Sequence, residues 1–545
     1  MAKKKILLCN ESSTAASGFG TYGNEILTRL HSQGYDIAEF AMGVTVQGLA
    51  MDPKPWPQYA NNVRPNDPRH KEFVSKPTNK FGEWRFERVL IDYRPDIVID
   101  IRDPWCFAHQ ANSPLRKYFN WAIMPTVDSA PQKEEWIDSF CGADAVFTYT
   151  DWGGKVIQEQ SHNKIEYKGT ASPGVDLKTY VPIENLKEHR KRLGFNENAV
   201  IIGMVARNQV RKLYPDLFQA FRKFMDDNPE LSENVYLYCH TSYPDVGWNL
   251  AKWSKYYGIG HKVLFSYICE ETNEPFVSRF QGARTYSPHS NAPTGIMPNT
   301  NKGFDRRHLA QVYQLFDYYV QYATCEGFGM PMAEAAACGV PISAVNYSAM
   351  EDVVEKTKGF PLKVQRFFHD LGTESVRALP DVEFTAKTFV KMAKMSPEEW
   401  KKKSNSARKA AERYFDWDKT AQTWADYIDN VELTGRQGQW NAPIDLPNPP
   451  ASIPEGMDNK DFVNWIYRSV IDEPHRRSST EALTILEDLN YGWIQEGSSF
   501  KPVDQQKIFK TFLNIAQNKI VCEQNRVGLL KPAGTDYINF ARGKM

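Results

Sequence analysis

The stretch that decides the fold of this chain runs Glu326-Gly327-Phe328-Gly329-Met330-Pro331-Met332-Ala333-Glu334 and continues through small residues to Gly339-Val340-Pro341. Two carboxylates enclose a turn that contains glycine, and a helix of small residues follows until the glycine and the proline stop it. Backbone N–H groups of a turn and of a helix N-terminus bind anions, and glycine lets a ligand approach the chain closely. The stretch therefore predicts a strand-turn-helix corner that binds a phosphate.

The two glutamates of this corner extend the predicted site on both sides of the phosphate. Glu326 precedes the turn, where its carboxylate can accept hydrogen bonds from hydroxyl groups, and Glu334 lies about two helical turns further on. A ligand with a diphosphate in the middle and a sugar at each end, such as a nucleotide sugar, would use both carboxylates. The alternative is a buried corner in which the glutamates only cap the helix and contact solvent.

A second segment supplies positive charge. The apolar run 200–205 predicts a buried strand, and Arg207 and Lys212 follow it before a helix begins near Leu217. Ligands of α/β sheets bind at the carboxyl ends of the strands. The forked guanidinium of an arginine and the ammonium of a lysine at that place would neutralise a diphosphate. Taken alone, the segment also fits a solvated basic loop. Together with the glycine turn, it predicts a two-sided diphosphate clamp.

Arg207 and Lys212, followed by Glu326 and Glu334, resemble the donor site of the retaining family-four glycosyltransferases, which have the two-domain GT-B fold. The resemblance spans roughly residues 1 to 430, and a phage-type member of the family is one interpretation of it. One position departs from the pattern, because Pro173 stands where members usually carry His or Asn. Further segments that resemble the family are 92–99, 124–128, 143–153 and 174–176.

The resemblance implies an α/β fold of two Rossmann-like domains, with the active site in the cleft between them and a small helical C-terminal extension. Residues 1–178 would form the N-terminal, acceptor-side domain. Residues 179–435 would form the nucleotide-sugar-binding domain, with an insertion at 266–305 and final helices that cross back. Residues 436–545 would be a Pro-rich linker and a helical extension. The strands predicted for the second domain are 200–205, 235–239, 262–266, 318–322 and 341–345.

The resemblance also assigns roles in a retaining transfer from a nucleoside-diphosphate sugar, with a UDP-sugar as the default donor. Arg207, Lys212 and the amides of the glycine turn would bind the diphosphate, Glu334 the ribose hydroxyls and Glu326 the sugar hydroxyls. GT-B members generally need no bound metal, and no cofactor is expected. The residues implied in donor binding are Gly18, Gly20, Arg207, Lys212, Glu326, Gly327, Phe328, Gly329, Met330 and Glu334. For Gly18 and Gly20, an ordinary strand-to-helix turn is the alternative.

Polar residues follow two strands of the first domain and should face the cleft on its acceptor side. Asp103 follows the strand at 97–101, and Asp128 follows the strand that ends at Pro125. Either carboxylate can orient an acceptor hydroxyl or accept its proton. His109 is a further acceptor-side candidate, although a lone histidine is more often a structural hydrogen-bonding group.

Residues 48–85 break the periodicity of the first domain and predict a long loop on the acceptor side, rich in proline, cations and aromatic residues. Aromatic rings among cations would suit a nucleic-acid acceptor such as hydroxymethylated DNA, and a lid with its own small core is the other interpretation. A glycan is the commoner acceptor of the family, so we expect a glycan and keep DNA as the alternative. A non-catalytic GT-B binding protein is a further alternative, against which the intact clamp residues argue.

Composition narrows the class of protein. Lys and Arg number 66, as do Asp and Glu, so the net charge is zero and strong nonspecific binding to nucleic acid is not expected. Eight scattered cysteines fit reduced thiols, and neither a signal peptide nor a membrane-spanning run is evident, so a cytoplasmic protein is expected. Cys269 and His289 are too few for a zinc site, which needs about four ligands, so no metal site is expected.

The last part of the chain differs in composition. Five prolines between 438 and 456 predict a semi-rigid linker. Beyond it, apolar residues at helical spacing predict a helix that packs on the enzyme or on a neighbouring subunit, which would allow a homodimer. These apolar residues are Ile508, Phe509, Phe512, Leu513, Ala516 and Ile520.

Overall fold

The computed structural model describes residues 4–113, 115–192, 198–299, 302–433, 450–470, 504–510 and 512–513. Within them, a parallel β-sheet and a second sheet that is parallel except at one edge are each covered by helices, so the predicted α/β class with two Rossmann-like sheets is confirmed. The residues that join the two sheets include 172–180, and the last long helix returns to the first sheet. Among the described residues, no helix has the length and apolarity needed to span a membrane.

The first sheet has seven parallel strands in the order β3-β2-β1-β4-β5-β6-β7. Its strands are β1 (Lys5–Glu11), β2 (Asp36–Thr45), β3 (Gln58–Asn62), β4 (Ile97–Asp100), β5 (Asn120–Ile123), β6 (Ala145–Thr148) and β7 (Tyr167–Thr170). Its helices are α1 (Gly18–Ser32), α2 (Val46–Met51), α3 (His70–Phe73), α4 (Phe86–Tyr93), α5 (Ala108–Ala111), α6 (Glu134–Cys141) and α7 (Asp151–Gln160). Short 3-10 helices span Pro77–Phe81, Pro104–Cys106 and Arg116–Tyr118.

The second sheet has the order β12-β13-β10-β9-β8-β14-β15-β16, with β11 paired to β10. Its strands are β8 (Val200–Val205), β9 (Val235–His240), β10 (Val263–Cys269), β11 (Pro275–Arg279), β12 (Arg284–Thr285), β13 (Gly295–Ile296), β14 (Tyr318–Gln321), β15 (Ile342–Val345) and β16 (Phe360–Leu362). The hairpin β17 (Val364–Asp370) and β18 (Ser375–Pro380) follows. Helices here are α8 (Leu186–Arg192), α9 (Tyr214–Asp227), α10 (Pro229–Ser232), α11 (Leu250–Tyr256), α12 (Arg306–Tyr313), α13 (Met330–Ala337), α14 (Ala349–Thr357), α15 (Val382–Ala393) and α16 (Pro397–Tyr414).

The central strands are continuous apolar runs because helices cover both faces of a parallel sheet. β8 is buried from Ile201 to Val205, and the strands predicted at 200–205, 235–239, 262–266, 318–322 and 341–345 coincide with β8, β9, β10, β14 and β15 to within a few residues. β8 and β14 are neighbours, so the segments that follow them leave the same edge of the sheet side by side.

The final helix α17 (Trp417–Asn430) packs on α1 of the first domain. The indole of Trp424 donates a hydrogen bond to the Tyr22 hydroxyl at 2.9 Å, and the Lys4 ammonium donates to the Ile428 carbonyl at 2.6 Å. At the other end of this return, Val175 pairs with Asp416. The chain thus crosses between the two sheets twice, at neighbouring positions.

Residues 48–85 differ from the predicted long loop. They contain most of α2, the whole of β3, α3 and a 3-10 helix, because β3 gains its hydrogen bonds from β2 and needs no apolar alternation of its own. Trp56, Tyr59 and Trp84 are buried, and the Trp84 indole donates to the Asn61 side chain at 2.9 Å. Trp56 and Tyr59 belong to two different hydrophobic clusters, so these three buried rings are not a surface on which nucleic-acid bases could stack.

The C-terminal extension contains α18 (Asn459–Ser469), and residues 505–510 are helical as the apolar spacing predicted. Phe462 and Ile466 pack with Ile508, Phe509 and Phe512 in a cluster of their own. Ala516, Ile520 and most of the predicted linker lie outside the described residues. Pairing of two chains through this extension stays a prediction.

Candidate active site

The Glu326 carboxylate lies at the centre of the candidate site, directly beyond β14. Its Oε2 accepts a hydrogen bond from Arg211 Nη1 at 2.9 Å, and its Oε1 accepts from the Lys212 ammonium and the Gln321 amide. Burial alone would raise the pKa of Glu326, but the two cations bring it down to about 2. Burial lowers the pKa of Lys212 to about 8, against the opposing effect of Glu326.

Backbone pairing explains why these side chains meet. The segment after β8 runs beside the segment after β14: Leu213 N donates to the Tyr322 carbonyl at 3.1 Å, and Thr324 N donates to the Arg211 carbonyl at 3.0 Å. Lys212 forms an isolated bridge with Ala323. The structure therefore brings the predicted basic segment and the predicted carboxylate together at the carboxyl edge of the second sheet.

Arg207 pairs with Asp245, whereas Arg211 is the arginine beside Glu326. The Arg207 guanidinium is about half exposed and contacts Asp245 with Nη2–Oδ1 at 2.9 Å and Nε–Oδ2 at 3.1 Å. Sequence reasoning missed Arg211, although its place next to Lys212 in the same basic segment was the available signal.

The glycine turn has the backbone that its sequence predicted. Gly329 has φ +86° and precedes the first residue of α13, a conformation that favours glycine. A Cβ on Gly327 would lie 2.5 Å from Thr126 Cγ2 of the first domain, so this turn closely approaches the other side of the cleft. The Phe328 ring packs edge-on against Phe415 at 5.5 Å.

Gly18 and Gly20, predicted in a loop, lie instead in the first turn of α1, and their surroundings differ. A Cβ on Gly18 would lie 3.7 Å from the Met330 sulfur, which places the start of α1 against the first residue of α13. A Cβ on Gly20 would lie 2.3 Å from the Ala15 carbonyl oxygen. Gly20 is therefore needed for the start of α1 to pack on the segment before it, and of the two glycines Gly18 is the one that adjoins Met330.

Glu334 lies on α13 and is held by tyrosines. Its Oε2 accepts a hydrogen bond from the Tyr313 hydroxyl at 2.7 Å. Burial raises its pKa, while hydrogen bonds from Tyr313 and Tyr180 and the charge of Arg306 oppose that rise. A carboxylate with hydroxyl donors already arranged around it is suited to binding further hydroxyl groups.

Two carboxylates of the first domain lie opposite Glu326. Asp128 Oδ2 accepts from the Cys325 thiol at 3.4 Å, across the cleft. Burial raises the pKa of Asp103 to about 6; the charges of Asp128 and Glu11 add to the rise, and Arg211 opposes it. The predicted residues Asp103, Asp128, Lys212 and Glu326 are thus gathered at one place.

His109 is the predicted acceptor-side residue that the structure does not bring to this group. Its ring packs edge-on against the buried Phe86 at 5.4 Å, and burial lowers its pKa to about 3. Within the described part of the chain, its buried Nε2 has no hydrogen-bond partner. A neutral histidine among aromatic rings is a packing residue, which corrects the expectation that His109 faces the acceptor.

The fold resembles that of several solved structures. Sucrose-phosphate synthase from Thermosynechococcus elongatus matches with a TM-score of 0.55 at 16% identity, over 78% of this chain and 98% of that one. A glycosyltransferase from Rickettsia africae gives 0.54 at 14% identity, over 79% and 98%. HepE from Anabaena, in complex with UDP and glucose, gives 0.54 at 14% identity, over 78% and 100%. The chain has the GT-B fold.

Sequence comparison adds a local match to this GT-B chain. Residues 301–366 match the family described as glycosyl transferases group 1, a segment that includes both Glu326 and Glu334. No curated protein matches the sequence. The match thus falls on the segment of the GT-B fold that carries the two glutamates.

Further contacts join the two GT-B domains around the cleft. The hairpin β17–β18 reaches the first domain, where Val376 N donates to the Ala130 carbonyl at 2.8 Å and Ala130 N donates to the Tyr347 hydroxyl at 3.1 Å. Arg306 pairs with Glu25 at 2.6 Å. Contacts at separate places therefore join the two GT-B domains in this conformation.

The insertion at 266–305 forms a β-ribbon on the edge of the second sheet. Cys269 lies 3.4 Å from the Thr294 hydroxyl, and His289 Nε2 lies 3.2 Å from the Pro275 carbonyl. Across the described residues, no three His, Cys, Asp or Glu side chains are grouped as metal ligands would be.

Proposed function

We propose that this chain is a retaining glycosyltransferase, a hexosyl- or pentosyltransferase, that moves a sugar from a nucleoside-diphosphate sugar, preferably a UDP-sugar, to a hydroxyl group of a glycan. The observation that carries the proposal is the buried Glu326 carboxylate held by Lys212 and Arg211 at the carboxyl edge of the nucleotide-side sheet. The GT-B fold and the local match to glycosyl transferases group 1 support it.

The proposed role of the cations is to stabilise the departing diphosphate. As the bond from the anomeric carbon to the diphosphate oxygen breaks, negative charge grows on the phosphate, and fixed cations in a water-poor cleft stabilise that charge strongly. Lys212 and Arg211 are already in place, and Arg207 would join them by exchanging Asp245 for a phosphate oxygen. Glu326 would bind the sugar hydroxyls.

The acceptor half of the reaction is assigned to the first domain. The acceptor oxygen forms a bond to the anomeric carbon on the face from which the nucleoside diphosphate leaves with the electron pair of the broken bond, as retention requires, and the acceptor proton passes to a carboxylate. Asp128 and Asp103 are the proposed proton acceptors, since both lie beside the cleft. Asp103, with its raised pKa of about 6, remains a base at neutral pH.

The proposed function is tested by offering the purified chain labelled UDP-glucose, other nucleotide sugars and a panel of oligosaccharides. We expect slow hydrolysis of one donor without acceptor and faster transfer with a suitable oligosaccharide. The anomeric configuration of the product, read by NMR, tests retention, and the same assay in chelator tests whether a metal is dispensable. A protein that binds donor but neither hydrolyses nor transfers it would be the non-catalytic alternative.

Replacing Glu334 tests the proposed ribose contact. We expect Glu334→Ala to weaken UDP binding by roughly 10- to 100-fold, because hydrogen bonds to a charged group contribute about 1.5–3 kcal/mol. Glu334→Gln keeps the shape and should have a smaller effect. Calorimetric titration with UDP measures both, with Glu355→Ala on the exposed side of α14 as the matched control. Unchanged affinity in Glu334→Ala would exclude the ribose role.

The pH dependence of kcat/KM follows from two titrations in the free enzyme. Asp103 has a raised pKa of about 6, so lowering the pH through 6 protonates the proposed base and reduces the rate. Lys212 has a lowered pKa of about 8, so raising the pH through 8 removes the charge that stabilises the leaving group. We expect a bell-shaped profile. Asp103→Asn should remove the acidic limb, and an unaltered acidic limb would assign it to another group.

A further inference from the structure

Two tryptophans lie beside the carboxylates of the acceptor side. Trp105 is two residues beyond Asp103, and Trp136 lies in the first turn of α6, the helix that follows Asp128. Their ring centroids are 5.9 Å apart with an interplanar angle of 54°. The segments that carry the proposed proton acceptors therefore also carry a pair of indoles in contact, next to Lys133, which pairs with Glu374 of the second domain.

Trp105 is exposed, unlike the large rings of residues 48–85. Its exposed fraction is 46%, whereas Trp56 and Trp84 are buried at 4% and 8%. The Lys133 ammonium lies 5.8 Å from the centre of the Trp136 ring and pairs with Glu374 of the β17–β18 turn at 3.0 Å, which holds this side of the pair in place. An exposed indole on a fixed support presents a flat apolar surface to the acceptor entrance.

The charge around this surface indicates the kind of acceptor. Asp103, Asp128 and Glu11 lie close enough for their charges to interact. The cations near them, Arg211 and Lys133, are already paired with Glu326 and Glu374. Double-stranded nucleic acid carries about one negative charge per 1.7 Å of axis and needs cations along its path. A saccharide instead offers hydroxyl groups that donate to carboxylates and a C–H face that packs on an aromatic ring.

We propose that Trp105 and Trp136 form a platform on which a sugar ring of the acceptor stacks while Asp103 and Asp128 bind its hydroxyls, so that the acceptor is an uncharged saccharide. This inference rests on the proposed glycosyl transfer and narrows its acceptor. It assigns Trp105 to acceptor recognition and leaves donor binding to the second domain.

Kinetics of Trp105→Ala, Trp136→Ala and Trp105→Phe test the platform. With an uncharged oligosaccharide acceptor, we expect Trp105→Ala to raise the acceptor KM at least 10-fold, Trp136→Ala to raise it less, and Trp105→Phe to restore most of the affinity. UDP affinity and donor hydrolysis should be unchanged in all three. Tyr256→Ala, which removes an exposed ring on α11, is the matched control.

A parallel assay offers hydroxymethylated duplex DNA and the panel of uncharged oligosaccharides to the unaltered enzyme. Transfer to the modified duplex alone, or the lack of any uncharged saccharide whose use depends on Trp105, would overturn the platform. Donor hydrolysis distinguishes failure of the platform from failure of the proposed function. Its absence in the unaltered enzyme would contradict glycosyl transfer itself.

Discussion

Lys212→Ala is expected to slow sugar transfer by about 10²- to 10³-fold, which corresponds to about 2.7–4 kcal/mol of lost transition-state stabilisation. The Lys212 side chain is 8% exposed and its ammonium contacts Glu326, so its charge acts in a site with little water. Charge–charge interactions are much stronger there than at the surface. The loss should fall mainly on kcat, since the phosphate charge grows as the bond breaks.

The measurement compares kcat and donor KM of Lys212→Ala with those of Lys223→Ala. Lys223 lies on α9 and pairs with Asp227 at 3.1 Å, so its loss should leave the rate unchanged. Glu326 keeps Arg211 and Gln321 as partners in the Lys212 variant, and we therefore expect it to fold. Near-normal turnover in the folded variant would contradict the clamp.

The sequence predicted the second sheet and the centre of the site because those parts depend on local patterns. Apolar runs such as 200–205 form strands wherever a parallel sheet is covered on both faces. The turn before α13 needs the left-handed backbone that Gly329 adopts at φ +86°, and Gly339 and Pro341 end the helix region. These features need no knowledge of distant residues.

The choice between two arginines could not be read from the sequence. Arg207 and Arg211 both follow β8, and either could face Glu326. What separates them is the pairing of Thr324 N with the Arg211 carbonyl and the presence of Asp245 beside Arg207, both of which come from other parts of the chain. Contacts with such distant residues cannot be predicted from the sequence around Arg207 and Arg211.

The same limit explains the errors in the first domain. β3 is a short strand with polar ends, and its hydrogen bonds come from β2. Its sequence therefore has no alternation of apolar and polar residues from which a strand could be predicted. Trp105 and Trp56 are both tryptophans near prolines in the sequence, yet Trp105 is exposed and Trp56 donates its indole N–H to the buried Glu39 at 3.1 Å. Tertiary contacts decide which ring is available to a ligand.

Glu326→Ala is expected to destabilise the protein by about 3–5 kcal/mol, because removing one partner of a buried ion pair leaves the other charge without compensation. The Glu326 carboxylate accepts hydrogen bonds from three side chains, whereas within the described residues the Lys212 ammonium donates to Glu326 alone. The effect should therefore exceed that of Lys212→Ala. The shift of the urea midpoint measures it, and Lys212→Met combined with Glu326→Ala should recover much of the loss.

The cost of Glu326→Ala should also depend on pH, with a sign fixed by Lys212. Burial lowers the pKa of Lys212 below its unfolded value, so the folded state favours the neutral amine. The destabilisation caused by Glu326→Ala is therefore greatest when the pH lies below the folded pKa of Lys212. Raising the pH from about 7 to about 9.5 should bring the variant closer to the unaltered protein, since Lys212 is then largely neutral in both. A destabilisation that is equal at the two pH values would show that the loss comes from packing rather than from the unpaired Lys212 charge.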